Sequence, residues 1–242
     1  MYLQEYLIFL AAIVVCMIFA GYASYRVKVA FAKHDRVRAS SGLTGRETAE
    51  RLMRSGGISD IKVGKTHGKL TDHYHPTKKI VNLSQSTYDN DSVAAVAVAA
   101  HEIGHVMQKK KGYVFYNLRT FLVPVVNFGS HLAMPLVLVG LIIDLLSLAA
   151  NPSLGFYIAL VGVALYGGTF VFALVTLPVE LNASRRAKEM LIAQGVLSQE
   201  QIDGAGEVLS AAALTYLASM LTSLVYFLRF LTRVLVLFGR RK

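Results

Sequence analysis

Four long stretches of the chain contain no charged residue, and apolar side chains dominate each of them. They cover residues 6–25, 120–143, 145–179 and 208–228. A transmembrane helix needs about 20 mainly apolar residues, so every stretch is long enough to cross a bilayer. The third contains the clearest apolar run, LGFYIALVGVALYGGTFVFALVTL, at residues 154–177. Its small residues Gly162, Gly167 and Gly168 would let another helix pack closely. The pattern predicts a membrane protein with several spans.

Basic residues flank the stretches unequally, and the inequality predicts their orientation. Lys and Arg follow the first stretch, precede the second and follow the third, whereas the turn at residues 144–153 has neither. Cytoplasmic flanks of membrane helices carry the excess of Lys and Arg. We therefore expect Lys110 and Arg186 to be cytoplasmic and Asn151 to lie outside.

The fourth stretch leaves two interpretations open. A span at 208–228 would place the five basic residues that follow it outside, against the positive-inside rule. The stretch is also rich in Ala, Ser and Thr, which is typical of a helix packed on protein. It is predicted either to pack on the catalytic part and then dip into the inner leaflet, or to form a fourth span.

The first stretch predicts a retained anchor. An acid and no base precede it, whereas a cleaved signal peptide begins with positive charge. The chain then divides into five predicted segments: an anchor at 1–25, a cytoplasmic catalytic segment at 26–119, two transmembrane helices in 120–179, a cytoplasmic helix in 180–207, and a packed, interfacial or spanning helix with a basic tail at 208–242.

The cytoplasmic segment has the pattern of a small globular part. Residues 44–54 predict a short helix with Thr44 as N-cap and a Glu three positions on. Residues 69–84 predict a hairpin around a His-Pro-Thr turn. Asn90, Asp91 and Ser92 offer caps for the Ala-rich helix SVAAVAVAAHEIGHVMQ.

Composition excludes several classes of protein. Hydrophobic residues make up 54% of the chain and charged residues 17%, which argues against disorder and against a wholly water-soluble domain. The single cysteine, Cys16, excludes an internal disulfide and cysteine-ligated metal clusters. The net charge of +10 follows the predicted topology and favours anionic headgroups. No aromatic-basic motif supports nucleic-acid binding.

The five residues HEIGH carry the predicted chemistry. His101 and His105 are four apart and share a helix face, so both can bind one metal ion. Glu102 lies about 100° further round the helix, where it can act on a metal-bound water. An H-E-x-x-H helix is the motif of zinc metalloproteases, in which the Glu is the general base. A solvated polar patch is the alternative, but burying these groups in an Ala/Val helix without a partner would be costly.

Glu180 is the strongest candidate for a third ligand. A catalytic zinc keeps three protein ligands and one open position. No histidine follows HEIGH at the metzincin spacing. Glu180 is expected to begin a cytoplasmic helix after Pro178 closes the third span. A carboxylate favoured by the helix dipole is an alternative and compatible role. If Glu180 is not the third ligand, His73 and His75 are the next candidates.

Four blocks in register resemble the YugP-type membrane-integral neutral zinc metallopeptidases of bacteria, and more distantly the HtpX-type membrane gluzincins. The blocks are HYHPTKKIVNLS, AVAVAAHEIGHVMQ, PVELNASRRA and VLSAAALTYLA. The resemblance covers about residues 20 to 230. It implies one zinc ion on His101, His105 and Glu180, with Glu102 as general base. It also implies a mainly α, multi-span membrane protein with a small α+β cytoplasmic zincin-like catalytic portion.

Two departures from those families concern the groups that orient the zinc histidines. Ser184 stands where HtpX-type enzymes carry an Asp, and Asn182 stands where the YugP-like block usually has an acid. Asn182, Ser184 or a backbone carbonyl is then left to orient a histidine. Tyr216 is a further candidate, as a hydrogen-bond donor to the oxyanion, although a tyrosine in the core is the plainer interpretation. His73 and His75 could line the substrate cleft, or they could belong to a surface hairpin.

The sequence thus predicts a membrane-embedded zinc endopeptidase of the bacterial plasma membrane. It is expected to hydrolyse membrane or membrane-proximal polypeptides at the cytoplasmic face, by Glu102-assisted attack of zinc-bound water. Two alternatives stay open. One is a zinc hydrolase of another amide or ester, and the other is a non-catalytic scaffold or regulator with a structural zinc.

Overall fold

The computed structural model describes residues 2–146 and 152–239, which form six helices and three strands. The helices are α1 (Tyr2–His34), α2 (Gly45–Ser55), α3 (Val93–Lys110), α4 (Val114–Leu146), α5 (Pro152–Ala193) and α6 (Ile202–Gly239). The strands are β1 (Lys62–Lys65), β2 (His73–His75) and β3 (Ile80–Leu83). The predicted fold class, mainly α with membrane helices and a small sheet, is confirmed.

Four helices are long and apolar enough to cross a membrane. These candidate spans are Leu3–His34, Val114–Asp144, Leu154–Ala193 and Ile202–Phe238. The fourth runs through residues 208–228 without a break, so length and composition admit it as a span. Asn151 and the tail residues 240–242 lie outside the described part of the chain.

The expected helix boundary at Pro178 is wrong. Helix α5 continues through Pro178 as one helix of 42 residues. Proline removes one hydrogen-bond donor and costs about 3 kcal/mol inside a helix. Beyond it, Ala183, Ala187 and Leu191 are fully buried in the core. This packing offsets the cost of placing Pro178 inside the helix. Because α5 is continuous, Glu180 lies within it and not at a helix N-terminus.

The chain divides into two compact units, and the first comprises the described residues within 1–20, 118–177 and 216–242. Its core includes Val137, Val163 and Val234. A Cβ atom added at Gly162 would lie 2.6 Å from the Ala133 carbonyl oxygen, so α4 and α5 touch through their backbones there. The close packing that the small residues predicted is confirmed at this position.

The second unit comprises residues 21–117 and 178–215. Its core gathers α2, α3, the sheet, the second part of α5 and the start of α6. Thr44 caps α2 in a full capping box with Glu47, and the Ser92 hydroxyl accepts from the Ala95 N–H at the start of α3. Both predicted helix starts are confirmed.

The sheet has the order β1-β3-β2. Strands β2 and β3 pair antiparallel, with Tyr74 opposite Val81, which confirms the predicted hairpin. Strand β1 pairs parallel with β3 and was not predicted. Its four residues, KVGK, lack the alternation of apolar and polar side chains that marks a strand.

Helices α3 and α5 touch at Gly104, between the two histidines of HEIGH. A Cβ atom there would lie 2.6 Å from the carbonyl oxygen of Ala183. Real Cβ atoms do not come this close to backbone, so a side chain at position 104 would push the helices apart. Glycine at this position sets the spacing of the helices that carry His101, His105 and Glu180.

We expect Gly104→Ala to destabilise the protein although alanine is the better helix former. The propensity gain is about 1 kcal/mol, whereas forcing an extra carbon into a packed core typically costs about 1–3 kcal/mol. The measurement is the thermal unfolding midpoint of the purified protein in detergent. Gly206→Ala on α6 is the matched control, because a Cβ there meets only the Lys188 side chain at 3.7 Å. A Gly104→Ala protein as stable as Gly206→Ala would contradict the close contact.

Candidate metal centre

Three side chains from α3 and α5 converge in the second unit. The Glu180 Oε2 atom lies 3.2 Å from His101 Nε2 and 3.4 Å from His105 Nε2. The two imidazole rings stand nearly perpendicular, with their centroids 4.8 Å apart. Glu180 is 2% exposed and His105 is 8% exposed. A carboxylate and two imidazoles therefore share one buried point.

This cluster has the donor types and the spacing that a zinc ion requires. One ligand atom from each residue lies within 4.8 Å of the others. Zinc binds imidazole nitrogen and carboxylate oxygen at about 2.0–2.2 Å, which separates neighbouring ligand atoms of a tetrahedral site by about 3.3 Å. The nitrogen-to-oxygen distances of 3.2 and 3.4 Å match that edge. The residues present therefore fit the metal.

The electrostatics of the cluster also favour a cation. Burial alone lowers the pKa of His105, but the Glu180 carboxylate, with help from Glu102, outweighs this effect and raises it. The surroundings of His105 thus stabilise positive charge despite the loss of water. A metal ion at the same point would meet the same negative field.

Glu102 is buried and lies on the side of α3 next to the histidine face. Val106 and Lys109 follow it four and seven residues later and share its side of the helix. Both line a cavity of about 370 Å³ whose walls also include Ile58, Ile61 and Tyr74. The side of α3 that carries Glu102 therefore continues into an open, partly apolar space.

The second nitrogen of each histidine also has a partner. The Ser184 hydroxyl lies 3.1 Å from His101 Nδ1, and the Gln108 side-chain oxygen lies 3.0 Å from His105 Nδ1. Ser184 is on α5, one turn beyond Glu180. Each imidazole therefore has a hydrogen-bond partner at its Nδ1 atom, and its Nε2 atom faces Glu180.

Sequence reasoning missed Gln108. This residue is fully buried, and its amide nitrogen donates to the Val179 carbonyl at 2.7 Å and to Asn182 Oδ1 at 3.0 Å. Asn182 in turn accepts from Arg186 Nε at 2.8 Å. The available signal was the position of Gln108, three residues after His105 on the same helix face.

The remaining predicted residues lie elsewhere. His73 and His75 are on β2 and make local hydrogen bonds, His73 with Asn82 and with the Thr71 carbonyl, and His75 with the Lys78 backbone N–H. Tyr216 lies on α6 in the first unit. Among the described residues, the cluster that could hold a metal ion comprises His101, His105 and Glu180 only.

The sequence is similar to known proteins along most of its length. The model of a family described as "Putative neutral zinc metallopeptidase" matches residues 8–235. The chain is 42% identical over 209 residues to the "Putative membrane protease YugP" of Bacillus subtilis (strain 168), covering 86% of this chain and 88% of that protein. No solved protein structure matches the chain. The matched region includes every side chain of the cluster.

Proposed function

The chain belongs to the family described as "Putative neutral zinc metallopeptidase", and from this membership we propose that it is a membrane-embedded zinc endopeptidase. One zinc ion is held by His101, His105 and Glu180. The substrates are membrane proteins or membrane-proximal polypeptide segments, cut at the cytoplasmic face of the bacterial plasma membrane.

The observation that carries the proposal is the geometry of the three ligand atoms. Glu180 Oε2 lies from each histidine nitrogen at the distance of a tetrahedral zinc edge, and three protein ligands leave one position open. A purely structural zinc is usually closed by four protein ligands. Within the described chain the cluster has three, which favours a catalytic site over a structural one.

The chain's own groups then take separate roles. When bound, zinc supplies a Lewis acid that polarises the peptide carbonyl and acidifies water. Glu102 removes a proton from the attacking water and returns it to the amine that leaves. Ser184 orients His101 through its Nδ1 atom. The cavity beside Val106 lies along the side of α3 that carries Glu102, and it is the candidate subsite for a substrate side chain.

The membrane location follows from distances along the chain. Glu180 comes three residues after the apolar run 154–177, and Gln108 precedes the stretch 120–143 by about a dozen residues. At about 1.5 Å per helical residue, Glu180 is roughly 5 Å along the helix from the end of that run. This short separation supports a scissile bond close to the headgroups, and hence membrane-proximal segments as substrates.

Zinc binding is expected to fail when any ligand is removed. His101→Ala, His105→Ala and Glu180→Gln should each lose most of the metal from purified protein, because two ligands hold zinc poorly and an amide is a weaker donor than a carboxylate. Zinc content is measured by atomic emission after dialysis. His67→Ala, an exposed histidine, is the control and should keep its zinc. Full zinc occupancy in Glu180→Gln would contradict Glu180 as the third ligand, and His73 and His75 would be the next candidates.

Glu102→Gln should keep zinc and the fold while losing activity. General-base catalysis is typically worth about 10²–10⁴-fold, so cleavage of an unstructured test protein should fall by that factor. Mass spectrometry of the products shows whether peptide bonds are cut. Cleavage by Glu102→Gln at the parent rate would refute the mechanism. A parent protein that holds zinc and cuts no peptide bond would instead favour a structural zinc or another hydrolase.

The orientation is tested with single cysteines in a Cys16→Ser background. A cysteine at position 151 should react with an impermeant thiol reagent in intact cells, whereas one at position 110 should react only after the cells are opened. These outcomes follow from the distribution of Lys and Arg. The reverse pattern would place the zinc cluster outside the cytoplasm.

A further inference from the structure

Behind His105, a line of hydrogen bonds runs from α3 into α5. The Arg186 Nε atom is 2.8 Å from Asn182 Oδ1, which is 3.0 Å from the Gln108 amide nitrogen. That nitrogen is also 2.7 Å from the Val179 carbonyl oxygen, and the Gln108 oxygen is 3.0 Å from His105 Nδ1. Gln108 is fully buried, so water does not compete for these groups.

The direction of each bond follows from what the groups can do. A guanidinium has only donors, so the Asn182 atom that faces Arg186 must be the oxygen. A backbone carbonyl has only acceptor capacity, so the Gln108 atom that faces Val179 must be the nitrogen. The two N–H bonds of that amide are then both used, one on Val179 and one on Asn182.

The Gln108 oxygen therefore faces His105 and must receive a hydrogen. Only a protonated Nδ1 atom can supply it. With the proton on Nδ1, the Nε2 atom is left to face Glu180 at 3.4 Å. A cation between these two atoms, either a proton or a metal ion, keeps two acceptors from being opposed there. A ring turned by 180° would place a C–H against the Gln108 oxygen, and a ring protonated on Nε2 alone would place a second acceptor against it. Either leaves this buried oxygen without a donor, which costs about 1–3 kcal/mol.

We propose that Gln108, Asn182 and Arg186 are positioning residues that fix the tautomer and the ring orientation of His105. Arg186 donates to Asn182 Oδ1 and so holds that oxygen towards Gln108. Asn182 and the Val179 carbonyl both accept from the Gln108 amide nitrogen. The Gln108 oxygen then accepts from His105 Nδ1, which leaves Nε2 of His105 as the metal donor. The proposal rests on the zinc site proposed above, but the hydrogen-bond chain itself exists without metal.

This arrangement explains how Asn182 can replace an acid. The series of hydrogen bonds requires an acceptor oxygen at position 182 and does not require a negative charge there. Ser184 supplies a neutral partner to His101 in the same way. Among the described residues, Glu180 and Glu102 are the carboxylates that act on His105, and its Nδ1 atom faces the Gln108 amide instead of the carboxylate that usually stands behind a zinc histidine.

The first test measures zinc affinity by competition with a chromogenic chelator in the full-length protein. Gln108→Leu and Asn182→Leu should each weaken zinc binding about 10–100-fold, the usual effect of removing a group that orients a ligand. Asn182→Asp keeps the acceptor and should bind zinc within about threefold of the parent. Gln108→Glu should weaken binding like Gln108→Leu, because a carboxylate has no N–H for Val179 and Asn182.

Two adjacent arginines allow a matched comparison that tests the hydrogen bond from Arg186 to Asn182. Arg186→Leu should weaken zinc binding, whereas Arg185→Leu should leave it unchanged. Arg185 is exposed and lies 3.7 Å from Glu189 on the surface of the same helix. Both changes remove one positive charge from the same turn, so a difference between them reports the hydrogen bond to Asn182.

The second test needs neither zinc nor activity. In zinc-free protein labelled with ¹⁵N-histidine, His105 should show a slowly exchanging Nδ1–H signal, identified by its loss in His105→Ala. This signal should disappear in Gln108→Leu and persist in Asn182→Asp and Arg185→Leu, with thermal unfolding confirming that each variant is folded. A parent protein with His105 protonated on Nε2 alone, or a folded Gln108→Leu that binds zinc like the parent, would overturn the proposal. An intact Nδ1–H signal in a protein that fails to bind zinc would refute the proposed function and leave the chain of hydrogen bonds standing.

Discussion

A carboxylate buried away from water is the constraint around which the second unit is arranged. Glu180 is 2% exposed. An isolated charge in such a place would cost more than a typical fold can supply, so positive or polar groups must meet it. The imidazoles of His101 and His105 do so at 3.2 and 3.4 Å. They reach it because α3 and α5 touch through their backbones at Gly104.

The parts of this arrangement that follow from local rules could be predicted. The spacing of His101 and His105 is a property of one helix, and the caps at Thr44 and Ser92 are decided within three residues. Glu180 required more, because it lies 79 residues after His101 and no local rule connects them. Its role as a third ligand was expected from the need for one more donor, from its position just after the third apolar stretch, and from the resemblance of four sequence blocks to a known family.

Two features depend on packing and are therefore out of reach of local rules. Proline by itself disfavours a helix, but α5 continues through Pro178 because the residues that follow it pack in the core. The spacing of Gln108 from His105 indicates only that the two share a helix face. The contacts of Gln108 with the Val179 carbonyl and Asn182 depend on where α5 packs. Tertiary contacts between distant segments settle both.

The separation of Glu180 from His101 also orders events during synthesis. The ribosome completes the HEIGH helix well before it makes Glu180, and two long apolar segments are translated in between. Until translation has passed these segments, the nascent chain holds two of the three cluster residues. The cluster is thus assembled from two parts of the chain that are made at different times, and neither part alone brings a carboxylate and two imidazoles together.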